Sequence, residues 1–369
     1  MACNVPLLEA EQIPELKCTG IVVQRRESSL QARSCFSGRY LEHVAGKPAS
    51  QISLVDNNRM EYVATGYGDV SVTIQGDENC PAIVTYHDVV CNHEICFEAL
   101  FGLSEMVRLF HLFCWYHIDA PGQETSAQRI TGESYPTMTE LAEQVNTVVN
   151  HFNLQQFIGI GVGVGANILS RVAMMYPAKV GGLVLVNLSP TAVSWADPEW
   201  LIQKFASKHL RQNKLTSTAK RYLTSLAFCT NPSQVGNATL LEIFWGYLCC
   251  CDLNNTSYLM ESHTKRSSIA QDMVEMIKCP CLFVMGRNSY YKDDVFQIAA
   301  QLDKTKTTVL QMESDGLLLE DAVEAFFTAL KLFVQGLGHA TGLGAVSPGA
   351  SSSFIKAIQL QQSVLSHLD

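Results

Sequence analysis

Ile158-Gly159-Ile160-Gly161-Val162-Gly163-Val164-Gly165-Ala166 sets four glycines in alternation between an apolar run and an amphipathic one. Gln156 to Gly161 reads as a strand. Ala166 to Tyr176 reads as a helix that Pro177 closes, because proline cannot continue it. Enzymes that form acyl intermediates at such a strand-to-helix turn carry G-x-S-x-G, whose flanking glycines permit a strained backbone without side-chain clash. Here the frame is Gly161-x-Gly163-x-Gly165, and the nucleophile position is Gly163. Glycine has no side-chain oxygen and cannot be acylated. Gly161-x-Gly163-x-x-Ala166 also fits a dinucleotide fingerprint. That fingerprint needs an acidic residue about 20 positions on. The next strand ends in Asn187-Leu188-Ser189-Pro190, with no carboxylate. A third reading is that the glycines only allow close packing of helix on strand.

Outward from this turn, strands and helices alternate. Met60 to Ala64 and Asp69 to Gln75 form a hairpin through Gly66 and Gly68. Ala82 to Tyr86, Leu112 to Ile118, Leu183 to Asn187, Cys281 to Gly286 and Thr307 to Met312 read as strands, several of them apolar enough to be buried on both faces. Helical patterns cover Cys96 to Phe110, Thr139 to Phe152 (capped by Thr137 or Thr139), Val295 to Leu302 and Glu320 to Val334. Ser194 to Ile277 is helical with no clear strand. The fold class is therefore α/β: a mostly parallel twisted sheet with helices on both faces and a helical cap insertion, the α/β-hydrolase plan. The expected organisation is an N-terminal extension over 1–58, partly disordered, then the main domain over 59–338 with its cap at about 194–278. A flexible tail follows over 339–369.

In that plan an acid follows a late strand and a base follows the last one. Gly286-Arg287-Asn288-Ser289 offers no carboxylate, and Ser289 holds the acid position. After the last strand the sequence reads Asp315-Gly316-Leu317, and Leu317 cannot accept a proton. No catalytic residue is expected. His87, Asp88, His117, Asp119 and Arg287 sit at sheet-end positions that would line the old crevice. His117 and Asp119, two apart in a strand, share a face and are candidates for a hydrogen-bonded pair.

Composition narrows the partners. Of 369 residues, 47% are apolar and 17% charged, with a net charge of −9, which argues against a nucleic-acid surface. No apolar stretch is long enough to span a bilayer, and no secretory leader opens the chain, so the expected location is cytoplasmic. The thirteen cysteines are expected as thiols. Cys249, Cys250 and Cys251 read as an apolar face of a cap helix. His93-x-x-Cys96 with Cys91 lacks zinc-type spacing, so neither metal nor cofactor is expected. Lys204, Lys208, Arg211, Lys214 and Lys220 make a local basic stretch, either a solvated helix face or a partner or lipid surface.

Several segments carry a family resemblance. They are Thr85-Tyr86-His87-Asp88-Val89 with Asn92-His93, His117-Ile118-Asp119-Ala120-Pro121-Gly122-Gln123, Leu141-Ala142-Glu143, Gly159 to Leu169, Gly182 to Asn187, Leu302 to Thr308 and Phe333 to Gly338. Together they resemble the N-myc downstream-regulated (NDRG) family, animal or plant, over roughly Tyr67 to Gly338. The resemblance implies an α/β-hydrolase fold without hydrolase activity. It implies an intracellular adaptor in signalling, growth, differentiation, stress responses and vesicle traffic, with G-protein βγ or trafficking components as partners and with peripheral membrane association open. The cap, Trp195 to Ile277, matches the family less well than the sheet. Two other functions stay open: a divergent hydrolase using Ser189 or Ser194 with His87, and a small-molecule sensor using the vestigial pocket.

Overall fold

The computed structural model describes residues 58–132, 134–193, 198–228, 235–314 and 316–339. Apart from Asn58 and His339, the expected N-terminal extension and C-terminal tail lie outside these residues, as do Ser194 and Asp315.

In chain order the strands are β1 (Arg59–Val63), β2 (Val70–Gln75), β3 (Ala82–Tyr86), β4 (Cys114–Asp119), β5 (Phe157–Val162), β6 (Val180–Val186), β7 (Cys281–Gly286) and β8 (Thr307–Met312). They form one sheet in the order β1-β2-β4-β3-β5-β6-β7-β8. Strand β2 runs antiparallel to β1 and β4, and every other neighbour is parallel. The parallel strands therefore end on one edge, where Tyr86 pairs with Gly161 and Gly286 with Met312. Open α/β sheets place their sites on that edge.

Among the described residues, α1 (His93–Phe101) and α2 (Met106–Phe110) precede β4, and α3 (Met138–His151) and α4 (Val164–Met175) flank β5. The insertion after β6 comprises α5 (Pro198–Arg211), α6 (Ser217–Phe228), α7 (Ala238–Cys250) and α8 (Leu253–Thr264). Then come α9 (Ala270–Met276), α10 (Lys292–Gln301), α11 (Leu318–Asp321) and α12 (Val323–Gly336). Alternation along the strands sends side chains to two cores. Ile83, Trp115, Ile160, Val184 and Val284 meet Phe97, Phe326 and Leu330 on one face. Val84, Tyr116, Leu185 and Phe283 meet Leu141, Leu169, Met273 and Ile298 on the other.

Three local details depart from the sequence reading. The helix expected over 96–110 is two helices, because Gly102 ends the first and Asn92 starts it early by accepting from Ile95 N–H at 3.0 Å. Helix α9 packs on α4 and α10, so it covers the sheet and does not belong to the cap. Cys249 and Cys250 are exposed instead of facing the cap core, since Leu240, Phe244 and Leu248 hold the buried side of α7. Thr137, one of the two expected caps, starts α3 with a full capping box, its hydroxyl accepting from Glu140 N–H while Glu140 answers to Thr137 N–H.

Candidate functional site

Gly163 stands between β5 and α4 with φ 53° and ψ −108°, a conformation that side-chain-bearing residues rarely hold. Its flanking glycines are fixed by close approach. A Cβ on Gly161 would lie 2.6 Å from the Gly165 carbonyl oxygen, and one on Gly165 would strike the Tyr86 carbonyl. The backbone thus has an elbow at the strand end.

A Cβ on Gly163 would overlap the carboxylate of Asp88. Asp88 Oδ1 accepts from Val164 N–H at 3.1 Å and from Val89 N–H at 2.8 Å. These are the amide after the elbow and an amide of the loop after β3, the pair of donors that holds an oxyanion in acyl-transfer sites of this layout. In this chain both point at a carboxylate of its own. Burial pushes the Asp88 carboxyl up, against the two amides that favour its charged form.

His87, His117 and Asp119 do not line the crevice, as the sequence reading expected, but are buried outside its lining. His87 is fully buried, and both its nitrogens serve backbone: Nε2 accepts from Ala120 N–H at 2.9 Å and Nδ1 donates to the Asp88 carbonyl at 2.6 Å. That pattern fixes the neutral tautomer, and burial lowers its pKa further. His117 and Asp119 share a face but do not bond each other. Asp119 takes His93 at the start of α1, through the backbone N–H at 2.7 Å and Nδ1 at 2.7 Å. His117 Nδ1 meets Thr85 Oγ1 at 2.7 Å and its ring stacks on His93 at 5.2 Å between centroids. The pair does not form because His93, at the start of α1, takes both oxygens of the buried Asp119 carboxylate, where the helix end favours an anion. Arg287 also departs from expectation: it is exposed and pairs with Glu313 at 2.7 Å, away from the crevice.

Asp88, Gly163, Ser289 and Leu317 do face a common cavity of about 120 Å³, roofed by Tyr222, Leu223, Leu226, Phe244 and Tyr247 of the cap. Asn187, with φ 49°, ties two of its walls together. Its Nδ2 donates to the Gly316 carbonyl at 3.2 Å, and its Oδ1 accepts from Gly286 N–H at 3.2 Å.

One pair in this cavity was not legible in sequence. Ser189 Oγ lies 2.7 Å from Nε2 of His263, both buried, with His263 coming from α8. Their separation of 74 in the chain carries no spacing signal. Among the described residues no carboxylate forms an ion pair with His263. Burial, then Arg266 and Arg171, hold its pKa well below the usual imidazole range. The imidazolium that a general base must become is therefore disfavoured there.

Likeness to known proteins agrees with this geometry. The sequence profile of the Ndr family matches residues 60–341. Protein NDRG3 of Xenopus laevis is 37% identical over 293 residues, covering 75% of this chain and 75% of its own. The NDRG-like protein of Dictyostelium discoideum is 33% identical, covering 70% and 79%. Among solved structures, a hydrolase from Pseudomonas aeruginosa aligns with TM-score 0.59 at 18% identity, over 75% of this chain and 98% of its own. A thermophilic esterase from Thermogutta terrifontis aligns with TM-score 0.60 at 14% identity, over 76% and 99%. The fold is that of the α/β hydrolases, and the chain belongs to the Ndr family.

Proposed function

We propose that this chain acts by binding and not by hydrolysis, as an adaptor built on a hydrolase scaffold. The observation that carries the reading is the Asp88 carboxylate, seated on the two amides an oxyanion would need and in the volume a nucleophile at position 163 would fill. Three further features support it: the hydroxyl-free elbow at Gly163, Leu317 and Ser289 where a base and an acid would stand, and a His263 that cannot readily store a proton. Purified protein should cleave p-nitrophenyl esters no faster than buffer. Turnover that disappears in His263→Ala would overturn the reading and assign Ser189 as the nucleophile.

The adaptor surface is assigned to the cap. Leu201 and Phe205 stand one turn apart on α5, 54% and 55% exposed, beside Lys204 and Lys208. Exposed apolar groups of this size framed by lysines suit a protein partner. Family likeness suggests G-protein βγ or trafficking components at a cytoplasmic site, in growth, differentiation or stress signalling. Phe205→Glu should abolish recovery of such a partner without lowering the thermal midpoint. Nucleic acid is not an expected ligand at a net charge of −9. The cavity beneath the cap with its Ser189–His263 pair supports a second reading, a small-molecule sensor, in which a ligand would raise stability by mass action.

A further inference from the structure

A second recess lies on the other side of α8. It is bounded by the start of α3, the middle of α4, the end of α5 and the turn after α8, and encloses about 420 Å³. Four cations line it, Arg171, Arg211, Lys265 and Arg266, against the single carboxylate of Glu261. Glu261 is already committed, to Arg211 at 2.6 Å and loosely to Lys265 at 3.8 Å.

Arg171 and Arg266 are the informative pair. They are 6% and 4% exposed, and neither forms an ion pair among the described residues. Arg171 is held in place by neutral acceptors: Asn167 Oδ1 at 2.9 Å, Thr139 Oγ1 at 3.2 Å and the Ser267 carbonyl at 2.8 Å. Arg266 gives one nitrogen to the His263 carbonyl at 3.0 Å and another to Tyr291 Oη at 2.8 Å. Its Nε is buried with no partner, and so is the Nε of Arg211. Burial is the chief influence against the charge on Arg171 and Arg266 adds to it, while Asp272 favours the charge without making an ion pair. Buried charges in proteins are paired or coordinate an ion, because leaving water uncompensated costs several kcal/mol each. Here two buried guanidinium groups without ion pairs line a polar recess whose one carboxylate, Glu261, is already paired with Arg211 and Lys265.

We propose that this recess is a binding site for a phosphomonoester group, held by Arg266 and Arg211 with Arg171 and Lys265 completing the charge. The excess of cations matches a group carrying about −1.5 to −2 rather than a single carboxylate. Guanidinium forks suit the geometry of phosphate oxygens. Lys265 and Arg211 are the more exposed members, so the ester's remaining part leaves through their side.

The test uses the whole chain in anion-poor buffer. Calorimetric titrations with inorganic phosphate and glycerol 3-phosphate are run beside flotation with phosphatidylcholine vesicles containing phosphatidic acid, and with phosphatidylserine vesicles as control. Saturable binding that weakens about tenfold or more in both Arg266→Gln and Arg211→Gln supports the site. Uptake of the free esters identifies a soluble ligand, and uptake only on phosphatidic acid vesicles a lipid headgroup. In the absence of anion, Arg266→Gln should also melt no lower than the parent, since it removes an uncompensated charge. Binding to none of these probes, binding unchanged in both variants, or binding to phosphatidylserine as tight as to phosphatidic acid overturns the proposal. Arg211 is only half-buried, so its variant keeps the test decisive should Arg266→Gln fold poorly.

Discussion

Serine at position 163 would bring its Cβ into the volume of the Asp88 carboxylate, on a backbone already at φ 53°. Overpacking costs about 1–3 kcal/mol and an unfavourable backbone region about 1–3 kcal/mol more. Gly163→Ser should therefore lower the urea midpoint by an amount equivalent to about 2–6 kcal/mol, and no acyl-enzyme should form. Adding Asp88→Gly empties the contested volume. The double variant should recover the overpacking part, so the two changes should be non-additive by about 1 kcal/mol or more. Additive losses would show that Asp88 does not occupy that space in solution. Glycine at 163 and the acid at 88 were both visible in the sequence. Their mutual exclusion was not, because it depends on a contact between residues 75 positions apart that face each other only once β3 and β5 are paired.

Elements are tied to one another here by single buried amides. Asn255 of α8, fully buried, accepts from Ile130 N–H at 2.8 Å and donates to the carbonyls of Gly122 at 2.9 Å and Gln128 at 3.0 Å. It pins the long loop after β4 to the cap. Asn255→Ala loses these three hydrogen bonds to buried backbone groups, at about 1 kcal/mol or more apiece, so a loss of about 3 kcal/mol is expected in urea denaturation. Proteolysis should open the loop over 122–132 first. Asn254-Asn255-Thr256 has the form of an N-x-[ST] glycosylation pattern. The fold gives both asparagines to internal hydrogen bonds. The strand and helix periods themselves were readable, since alternation and the 3.6-residue repeat are local. The placement of α9 was not, because it follows from packing on α4 and α10.

At the scale of the molecule, three buried histidines set the response to acid. His87, His117 and His263 all have pKa values lowered from 6.5, each by burial first. The unfolded chain takes up protons as pH falls through that value while the native chain does not, so stability declines below it. The slope is at most about 1.4 kcal/mol per pH unit for each group. Asp119 adds to this only below its unfolded value of 3.8, because its pKa is lowered: burial works against the charge, but His93 outweighs it. Asp88, whose pKa is raised, works in the opposite sense above 3.8. The histidine slope is therefore cleanest near about pH 6, and His263→Gln should make it shallower by one group's share. A flat stability profile between about pH 7 and about pH 5 would contradict the burial of these rings.

The sequence by itself determined the sheet, its helices, the cap insertion, the elbow glycines and family membership, because each is written in residues close together in the chain. Only the tertiary structure decided what stands around the elbow. The carboxylate of Asp88 fills the nucleophile's place, Ser189 meets His263 across the cap, and Arg171 and Arg266 line a recess where four cations meet the single carboxylate of Glu261. Those pairs come from segments about 75 to 95 residues apart. The free energy of such a pair depends on burial and on the distance between partners, and neither quantity exists until the chain has packed.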